Sequence, residues 1–167
     1  TVEDLLLGKS PEIDPSIKPA ILAFLTFFEQ KNIQVTPELV EKRVVSLDHR
    51  YAGTVDALAL IDGKFGVLDI KTSQAIYRDY NLQTAAYMDA LKDQHENLQT
   101  RWILKIDQIQ TCNLCGAIRR IKGGREKVRN GKSSVPCRGG EHEWSELRGD
   151  IEFQEFPYWQ SDFEAFL

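Results

Sequence analysis

Residues 53–73, GTVDALALIDGKFGVLDIKTS, contain two apolar runs on either side of Asp62-Gly63. An Asp-Gly pair accepts the positive φ angles of a type I′ turn, so the stretch predicts an antiparallel hairpin with a two-residue turn. In that register Asp56 lies opposite Asp69. Apolar side chains fill both faces of the two strands, which is typical of a sheet covered by helices on both sides. We therefore predict an α/β fold with charges gathered at the strand ends away from the turn.

The two facing carboxylates need a partner. Directly opposed side chains have Cβ atoms roughly 5 Å apart, and like charges repel more strongly where burial lowers the effective dielectric. A divalent cation between Asp56 and Asp69 would remove the conflict, and hard carboxylate oxygens suit Mg²⁺ or Mn²⁺. Because side chains alternate along a strand, Lys71 projects to the same face as Asp69 and could orient or help deprotonate a metal-bound water. The plainer interpretation is an ordinary hairpin whose acids reach solvent.

Three motifs, Gly53-Thr-Val-Asp56, Asp69-Ile-Lys71-Thr-Ser and Gln83-Thr-Ala-Ala-Tyr87, resemble in order and spacing the PD-(D/E)XK nuclease superfamily, specifically its RecB-like branch. The resemblance covers roughly residues 41–106. It implies a restriction-endonuclease-like core, in which a mixed central sheet is flanked by helices. It also implies that the catalytic metal is bound by Asp56, Asp69 and the backbone carbonyl of Ile70, with Lys71 assisting the attacking water.

The resemblance also gives roles to residues outside the hairpin. Gln83 and Tyr87 are four residues apart and share a helix face, which the resemblance places against the active site; the plainer interpretation is a polar helix edge. Glu41, before the first motif, is a further candidate acidic residue near the metal. Relatives commonly carry a metal-binding histidine on an upstream helix, yet no histidine precedes His49. The chain opens at Thr1 rather than Met, so we expect that histidine upstream of it or absent.

The remaining elements follow from hydrophobic periodicity. The chain of 167 residues is long enough for one core, and we predict that residues 1–167 form a single nuclease domain, with residues 111–144 as a basic, glycine-rich insertion within it. No apolar run of about 18 residues indicates a membrane span or signal peptide, so we expect an intracellular, cytoplasmic protein, in the host cell if phage-encoded. Helices are predicted at 15–30 and 78–94, and strands at 39–45, 51–60, 65–71, 102–106 and 151–156.

The insertion contains a candidate metal site. Cys112 and Cys115 form a C-x-x-C pattern, and Cys137 and His142 follow. Three cysteines cannot pair completely as disulfides, whereas three thiolates and an imidazole can complete a tetrahedral Zn²⁺ site. An iron-sulfur cluster would usually require four cysteines. We predict structural Zn²⁺, because a segment with so few apolar residues needs a metal to hold it folded. The alternative is free buried thiols and a surface histidine.

Between the two halves of the zinc site the chain is strongly basic. Seven cations oppose one carboxylate, that of Glu126, so this stretch carries +6 and the rest of the chain −10. Such segregation predicts a hairpin that follows a phosphate backbone while the acidic body holds the metal. The alternative is a solvated loop. The predicted DNA-binding residues are Arg119, Arg120, Lys122, Arg125, Lys127, Arg129 and Lys132.

Together these patterns indicate a metal-dependent nuclease that hydrolyses phosphodiester bonds of single- or double-stranded DNA. We expect an exonuclease of recombination, repair or phage replication, with a protein of those pathways as a further partner. Two alternatives stay open: a catalytically silent DNA-binding module that uses the zinc-stapled hairpin, and a metal-binding structural domain of a larger assembly. The presence of Asp56, Asp69 and Lys71 favours the enzyme.

Overall fold

The computed structural model describes residues 1–122, 124–131, 137 and 141–167. These residues form a mixed α/β fold with a seven-stranded sheet and four helices. The α/β class and the mixed sheet are confirmed. In chain order the elements are α1 (Val2–Leu6), α2 (Lys18–Gln30), β1 (Gln34–Ser46), β2 (Tyr51–Ile61), β3 (Lys64–Lys71), α3 (Arg78–Leu91), β4 (Thr100–Thr111), β5 (Ile118–Lys122), β6 (Arg125–Arg129), β7 (Arg148–Glu155) and α4 (Gln160–Phe166).

Strand β4 organises the sheet. Strands β1, β2 and β3 follow one another as antiparallel neighbours, and the crossover through α3 makes β4 parallel to β3. On its other side β4 pairs antiparallel with β7 from Trp102 to Ile109. The last two residues of β4, Gln110 and Thr111, instead pair with β5, which continues into β6. The insertion therefore grows from the end of β4 as a hairpin of its own.

The predicted β2–β3 hairpin is confirmed. Asp62 and Gly63 both have positive φ, at 51° and 78°, as a type I′ turn requires. Ile61 pairs with Lys64, and pairing continues in the predicted register as far as Ala57 and Leu68. The ladder ends there, one residue before Asp56 would meet Asp69. The two aspartates therefore lie at the open end of the hairpin rather than as a hydrogen-bonded pair.

Helices cover both faces of the sheet. Leu6 of α1 and Phe24 of α2 pack against one face, whereas Met88 and Leu91 of α3 pack against the other. The expected alternation along β2 breaks at one position: Val55 packs on the α3 side rather than with Ala57. Among the described helices, none is long and apolar enough to cross a membrane.

Candidate active site and metal centre

A continuous chain of hydrogen bonds joins four of the predicted site residues. The Lys71 ammonium donates to Asp69 Oδ1 at 2.9 Å and to Gln83 Oε1 at 2.9 Å. The Gln83 amide in turn donates to the Tyr87 hydroxyl oxygen at 2.7 Å. Helix α3 brings Gln83 and Tyr87 to the end of β3 because residues four apart share a helix face. The structure thus gathers these residues at one strand end, and the amide of Gln83 fixes the position of the ammonium.

Gly53 makes room for this arrangement. A Cβ atom at residue 53 would lie 2.6 Å from Cε1 of the Tyr87 ring, which is closer than real Cβ contacts come. The ring packs on bare backbone of β2 and delivers its hydroxyl to Gln83. The glycine of the first motif therefore has a steric reason.

Asp69 is almost completely buried, with 1% of its surface exposed. Lys71 Nζ lies 2.9 Å from both Oδ1 and Oδ2, but only Oδ1 accepts a hydrogen bond from the residues that the structure describes. Burial raises the pKa of this carboxyl, and the charge and hydrogen bond of Lys71 oppose the rise. The charge of Lys71 compensates this buried carboxylate, and Oδ2 is the oxygen that could also bind a hard cation.

Asp56 lies beside the same strand end, but its hydrogen-bond partner is a backbone group rather than Lys71. Its Oδ2 accepts a 2.6 Å hydrogen bond from the backbone N–H of Ile70. Burial raises its pKa to about 6; the Ile70 hydrogen bond lowers it, and the negative charge of Asp69 raises it further. This side chain replaces the ladder hydrogen bond that would continue the hairpin, which accounts for the end of the pairing at Ala57. Oδ1 of the same carboxylate is then the atom available to a metal.

Glu41, the further acidic candidate, lies on β1, the strand next to that of Asp56. The neighbours of Glu41, Val40 and Lys42, pair with Ala57 and Val55, so Glu41 lies at the level of Asp56 in the sheet. Its φ of 54° is uncommon for a non-glycine residue, and its side chain is exposed.

Glu3 of α1 is a candidate that the sequence did not indicate, because no motif contains it. It lines the same cleft as Asp56. Its negative charge adds to the rise in the pKa of Asp56 that burial mainly causes. Among the described residues, however, the carboxylates of Glu3, Asp56 and Asp69 do not form a group with all donor atoms within 4.8 Å of one another. Asp56 and Asp69 are the residues that could hold a hard divalent cation, which often uses only one or two protein carboxylates.

Asp56 opens into a cleft of about 830 Å³. Residues of α1, the start of α2, β4 and β5 line it, so it lies between the helices of one sheet face and the basic hairpin. Ile17, Ile21 and Ile106 give it an apolar wall, and Lys122 contributes a cation. A charged ligand that enters this cleft meets both a carboxylate and an ammonium group.

The second centre is the cysteine and histidine cluster. Among the described residues, only Cys112, Cys115, Cys137 and His142 form a group of three or more metal-ligating side chains whose donor atoms all lie within 4.8 Å of one another. Cys112 Sγ lies 3.7 Å from Cys137 Sγ, and Cys115 Sγ lies 3.4 Å from His142 Nδ1. A tetrahedral Zn²⁺ with usual bond lengths requires separations of about 3.8 Å and 3.6 Å. The cluster therefore fits a zinc-type ion.

Local backbone geometry builds this cluster. Gly116 has a φ of 71°, and its N–H donates to the Cys112 carbonyl at 2.9 Å, which closes the tight turn predicted for the C-x-x-C pattern. A β-bridge between Cys112 and Trp144 holds the two arms together. The His142 ring packs against the Trp144 ring with 4.6 Å between centroids.

The thiols of the cluster differ in acidity. Although burial acts to raise it, hydrogen bonds from the backbone of Cys115 and from His142 lower the pKa of Cys112 to about 6. Burial and hydrogen bonds to the other two thiols raise the pKa of Cys137 to about 12. Without metal, the Cys137 thiol keeps its proton more firmly than the Cys112 thiol does. Metal binding must release such protons.

Two of the predicted DNA-binding arginines make contacts within the protein. Arg120 forms a two-pronged ion pair with Asp107, in which one nitrogen to oxygen distance is 2.8 Å. Arg119 donates twice to Gln110 Oε1 and lies 4.8 Å from the centre of the Trp144 ring. These guanidinium groups fix the hairpin to β4 and to the zinc cluster. We therefore assign them a structural role first.

The other hairpin cations are placed differently. The Lys122 ammonium donates to the backbone carbonyl of Thr72 and lies 3.3 Å from its hydroxyl, immediately after Lys71. The hairpin thus reaches the carboxylate centre, although 50 residues separate these two positions in the chain. The side chains of Arg125, Lys127 and Arg129 are exposed, and Lys132 lies outside the described residues.

No protein-family model matches this chain, and no curated protein is similar enough to count as a relative.

Proposed function

We propose that the protein is a metal-dependent nuclease that hydrolyses DNA phosphodiester bonds on a restriction-endonuclease-like core. The observation that carries the proposal is the hydrogen-bonded chain from Asp69 through Lys71 and Gln83 to Tyr87. It ends a buried strand beside Asp56, which opens into the cleft. A buried carboxylate held against an ammonium that a third residue orients is typical of a site that acts on charge.

The residues suggest a division of roles. Asp56, Asp69 and the backbone carbonyl of Ile70 would hold Mg²⁺ or Mn²⁺, which when bound lowers the pKa of water and neutralises phosphate charge. Lys71 would assist the attacking water beside Asp69. Its ammonium would also stabilise charge that develops on the phosphate. Gln83 prevents the Lys71 ammonium from turning away, because its Oε1 accepts one of the three ammonium hydrogens. Tyr87 holds Gln83.

The surroundings support a polyanionic substrate. The basic hairpin carries its exposed cations on β6, and Lys122 anchors it beside Thr72. Since the body of the chain is acidic, the hairpin supplies the attraction that brings a phosphate backbone towards two aspartates. The zinc-type cluster stabilises the hairpin, and we give it no part in the chemical step.

The alternative of a silent DNA-binding module is favoured by one observation, the internal contacts of Arg119 and Arg120, which would give a rigid platform without any cleavage. This alternative does not explain why Asp69, Lys71, Gln83 and Tyr87 are joined by hydrogen bonds. A buried ion pair such as Asp69 with Lys71 is often no more stabilising than apolar side chains of similar volume. A module that only binds phosphate would have no need of this pair.

The test is incubation of zinc-loaded protein with end-labelled single- and double-stranded DNA, with and without Mn²⁺. Cleavage that needs Mn²⁺ in the wild type, and that is lost in Asp69→Asn and in Lys71→Ala, is the expected result. Asp79→Asn is the matched control, because Asp79 is an exposed aspartate on α3. All variants should retain the wild-type circular dichroism spectrum and zinc content. Undiminished cleavage by Asp69→Asn or Lys71→Ala would contradict the proposed site, and DNA binding without cleavage by the wild type would favour the silent module.

A further inference from the structure

A second, smaller groove of about 470 Å³ lies on the hairpin side of the sheet, between β6 and the start of β7. Two acidic residues, Asp107 and Asp150, line it. Asp107 is paired with Arg120, and Asp150 Oδ2 accepts a 2.5 Å hydrogen bond from the buried Lys105. The negative charges of the groove are therefore neutralised within the protein.

The remaining cations of the groove have no such partner in the described part of the chain. Lys127, Arg129 and Arg148 line it with exposed side chains. Among the residues that the structure describes, no carboxylate forms a salt bridge with any of the three. The groove thus has a surplus of three positive charges, and Arg148 comes from β7 rather than from the basic hairpin. Two separate elements present cations to one concave surface.

The groove also has an apolar floor. Ile109 of β4 and Ile118 of β5 line it, on the same face of their strands as Arg120. A bound inorganic anion would make no use of these side chains. A nucleic-acid strand would, because its phosphates can contact the cations while its sugars and unstacked bases cover the aliphatic surface.

The groove adjoins the carboxylate centre. Asp107 lines both this groove and the larger cleft that contains Asp56. Gln74, three residues after Lys71, lines the groove as well. Asp107 and its partner Arg120 therefore lie where the cleft and the groove meet.

We propose that this groove binds a single-stranded segment of nucleic acid continuous with the scissile phosphate, with Lys127, Arg129 and Arg148 on its phosphates. The inference rests on the proposed function for the direction of the strand, but the binding itself does not require cleavage. A single strand fits better than a duplex because a duplex keeps its base faces inside the stack, where the apolar floor cannot reach them. Arg148 is the residue that distinguishes this groove from the hairpin alone.

The experiment measures fluorescence anisotropy of three labelled oligonucleotides with zinc-loaded protein and no added Mg²⁺ or Mn²⁺, across a salt series. The probes are a single strand, the duplex of the same sequence, and the single strand with abasic sites. Arg148→Ala should weaken single-strand binding and lower the salt slope by about 0.7, as expected for one lost phosphate contact. Arg148→Lys should keep the slope. Arg43→Ala, which removes an exposed arginine from β1 at the opposite edge of the sheet, should change neither.

The abasic strand should bind the wild type about fivefold or more weakly than the intact strand, since the contacts of its bases with the apolar floor are lost. Equal effects of Arg148→Ala and Arg43→Ala would overturn the groove. If Arg148→Ala weakens duplex binding as much as or more than single-strand binding, the single-strand assignment is overturned. Equal binding of the abasic and intact strands by the wild type would overturn it as well. Because no metal-dependent step is involved, a protein that binds as expected but never cuts contradicts the nuclease and leaves the groove intact. A protein that cuts while Arg148→Ala binds normally contradicts the groove alone.

Discussion

At the scale of single residues, the lack of a side chain at Gly53 leaves space for the Tyr87 ring. A methyl group there would collide with the Tyr87 ring, which lies at the far end of the chain of hydrogen bonds to Asp69. We predict that Gly53→Ala destabilises the protein by about 1–3 kcal/mol, the usual cost of overpacking, and reduces cleavage. Urea unfolding and the end-labelled DNA assay measure the two effects.

The control is a double variant, Gly53→Ala with Tyr87→Leu, which removes the ring. It should regain stability without regaining full cleavage, because Gln83 then lacks the hydroxyl that accepts its hydrogen bond. A Gly53→Ala protein with wild-type stability and activity would show that the ring has room to move.

The raised pKa of Asp56 leads to a prediction about how the stability of the protein depends on pH. Its pKa is about 6 in the folded protein, against an ordinary value of 3.8. The folded state therefore binds the proton more tightly, so the stability that it gains is present below about pH 4 and is lost as the pH rises through 6. In protein without added divalent metal, Asp56→Asn should be more stable than wild type at pH 8, by about 2 kcal/mol after allowance for partial exposure.

Urea unfolding at pH 5 and pH 8 measures this difference, and subtraction of the two proteins cancels the titration of the zinc ligands. Added Mn²⁺ should stabilise the wild type at pH 8 and not the variant, since ionised Asp56 is a proposed ligand. An Asp56→Asn protein that is less stable than wild type at pH 8 without Mn²⁺ would contradict the burial of an uncompensated charge.

At the scale of secondary-structure elements, the sequence was most informative where local chemistry decides the structure. The β2–β3 hairpin could be predicted because an Asp-Gly turn and period-two alternation are both written within 21 residues. The face of Val55 could not, since the alternation breaks beside the hydrogen bond between the Asp56 side chain and the Ile70 backbone.

Other elements depend on distant contacts that a local pattern does not contain. Helix α4 was not predicted because it is short and is held by an ion pair between Asp162 and the buried Arg101 on β4. Strand β1 begins at Gln34, before the predicted position, since Pro37 interrupts a strand pattern although an edge strand tolerates it. The ligand set of the metal cluster, by contrast, was predicted from cysteine spacing alone, and the structure brings all four side chains together.

The cluster makes a prediction of its own. We expect one tightly bound Zn²⁺ per chain, with proton release on binding, chiefly from the thiol of Cys137 whose pKa is about 12. Affinity should therefore fall as the pH is lowered. Elemental analysis gives the stoichiometry, and titration in weakly buffered solution gives the protons. His142→Asn should lose the metal, whereas His49→Asn, at a histidine outside the cluster, should keep it. Iron with visible absorption would refute a zinc site.

At the scale of the whole molecule, the basic hairpin is an appendage to the core and is not one of its layers. The chain leaves at Cys112 and returns at Trp144, and these residues form a β-bridge with each other. Strands β4 and β7 then pair antiparallel through eight residue pairs from Ile109 back to Trp102. Replacing residues 113–143 by a short Gly-containing turn should therefore give a folded protein without zinc.

The truncated protein should keep its α/β circular dichroism spectrum and a cooperative unfolding transition, but bind DNA weakly and with a shallower salt dependence, because the hairpin cations are gone. Far-ultraviolet spectra, urea unfolding and anisotropy measure these properties. A truncated chain that fails to fold would show that the hairpin is part of the core, and unchanged DNA affinity would show that the positive charge of the hairpin is irrelevant to binding.

The irregular course of β1 has a consequence for how copies of the protein meet. This strand is an end of the sheet, and an open edge invites another chain to add a strand and start an aggregate. Its pairing shifts between Val35 and Val40, where Pro37 offers no N–H group, and Glu41 follows with its backbone in the left-handed region. A neighbouring molecule would find no straight row of donors and acceptors there. The segment that flanks the carboxylate centre therefore also protects the sheet from self-association along that edge.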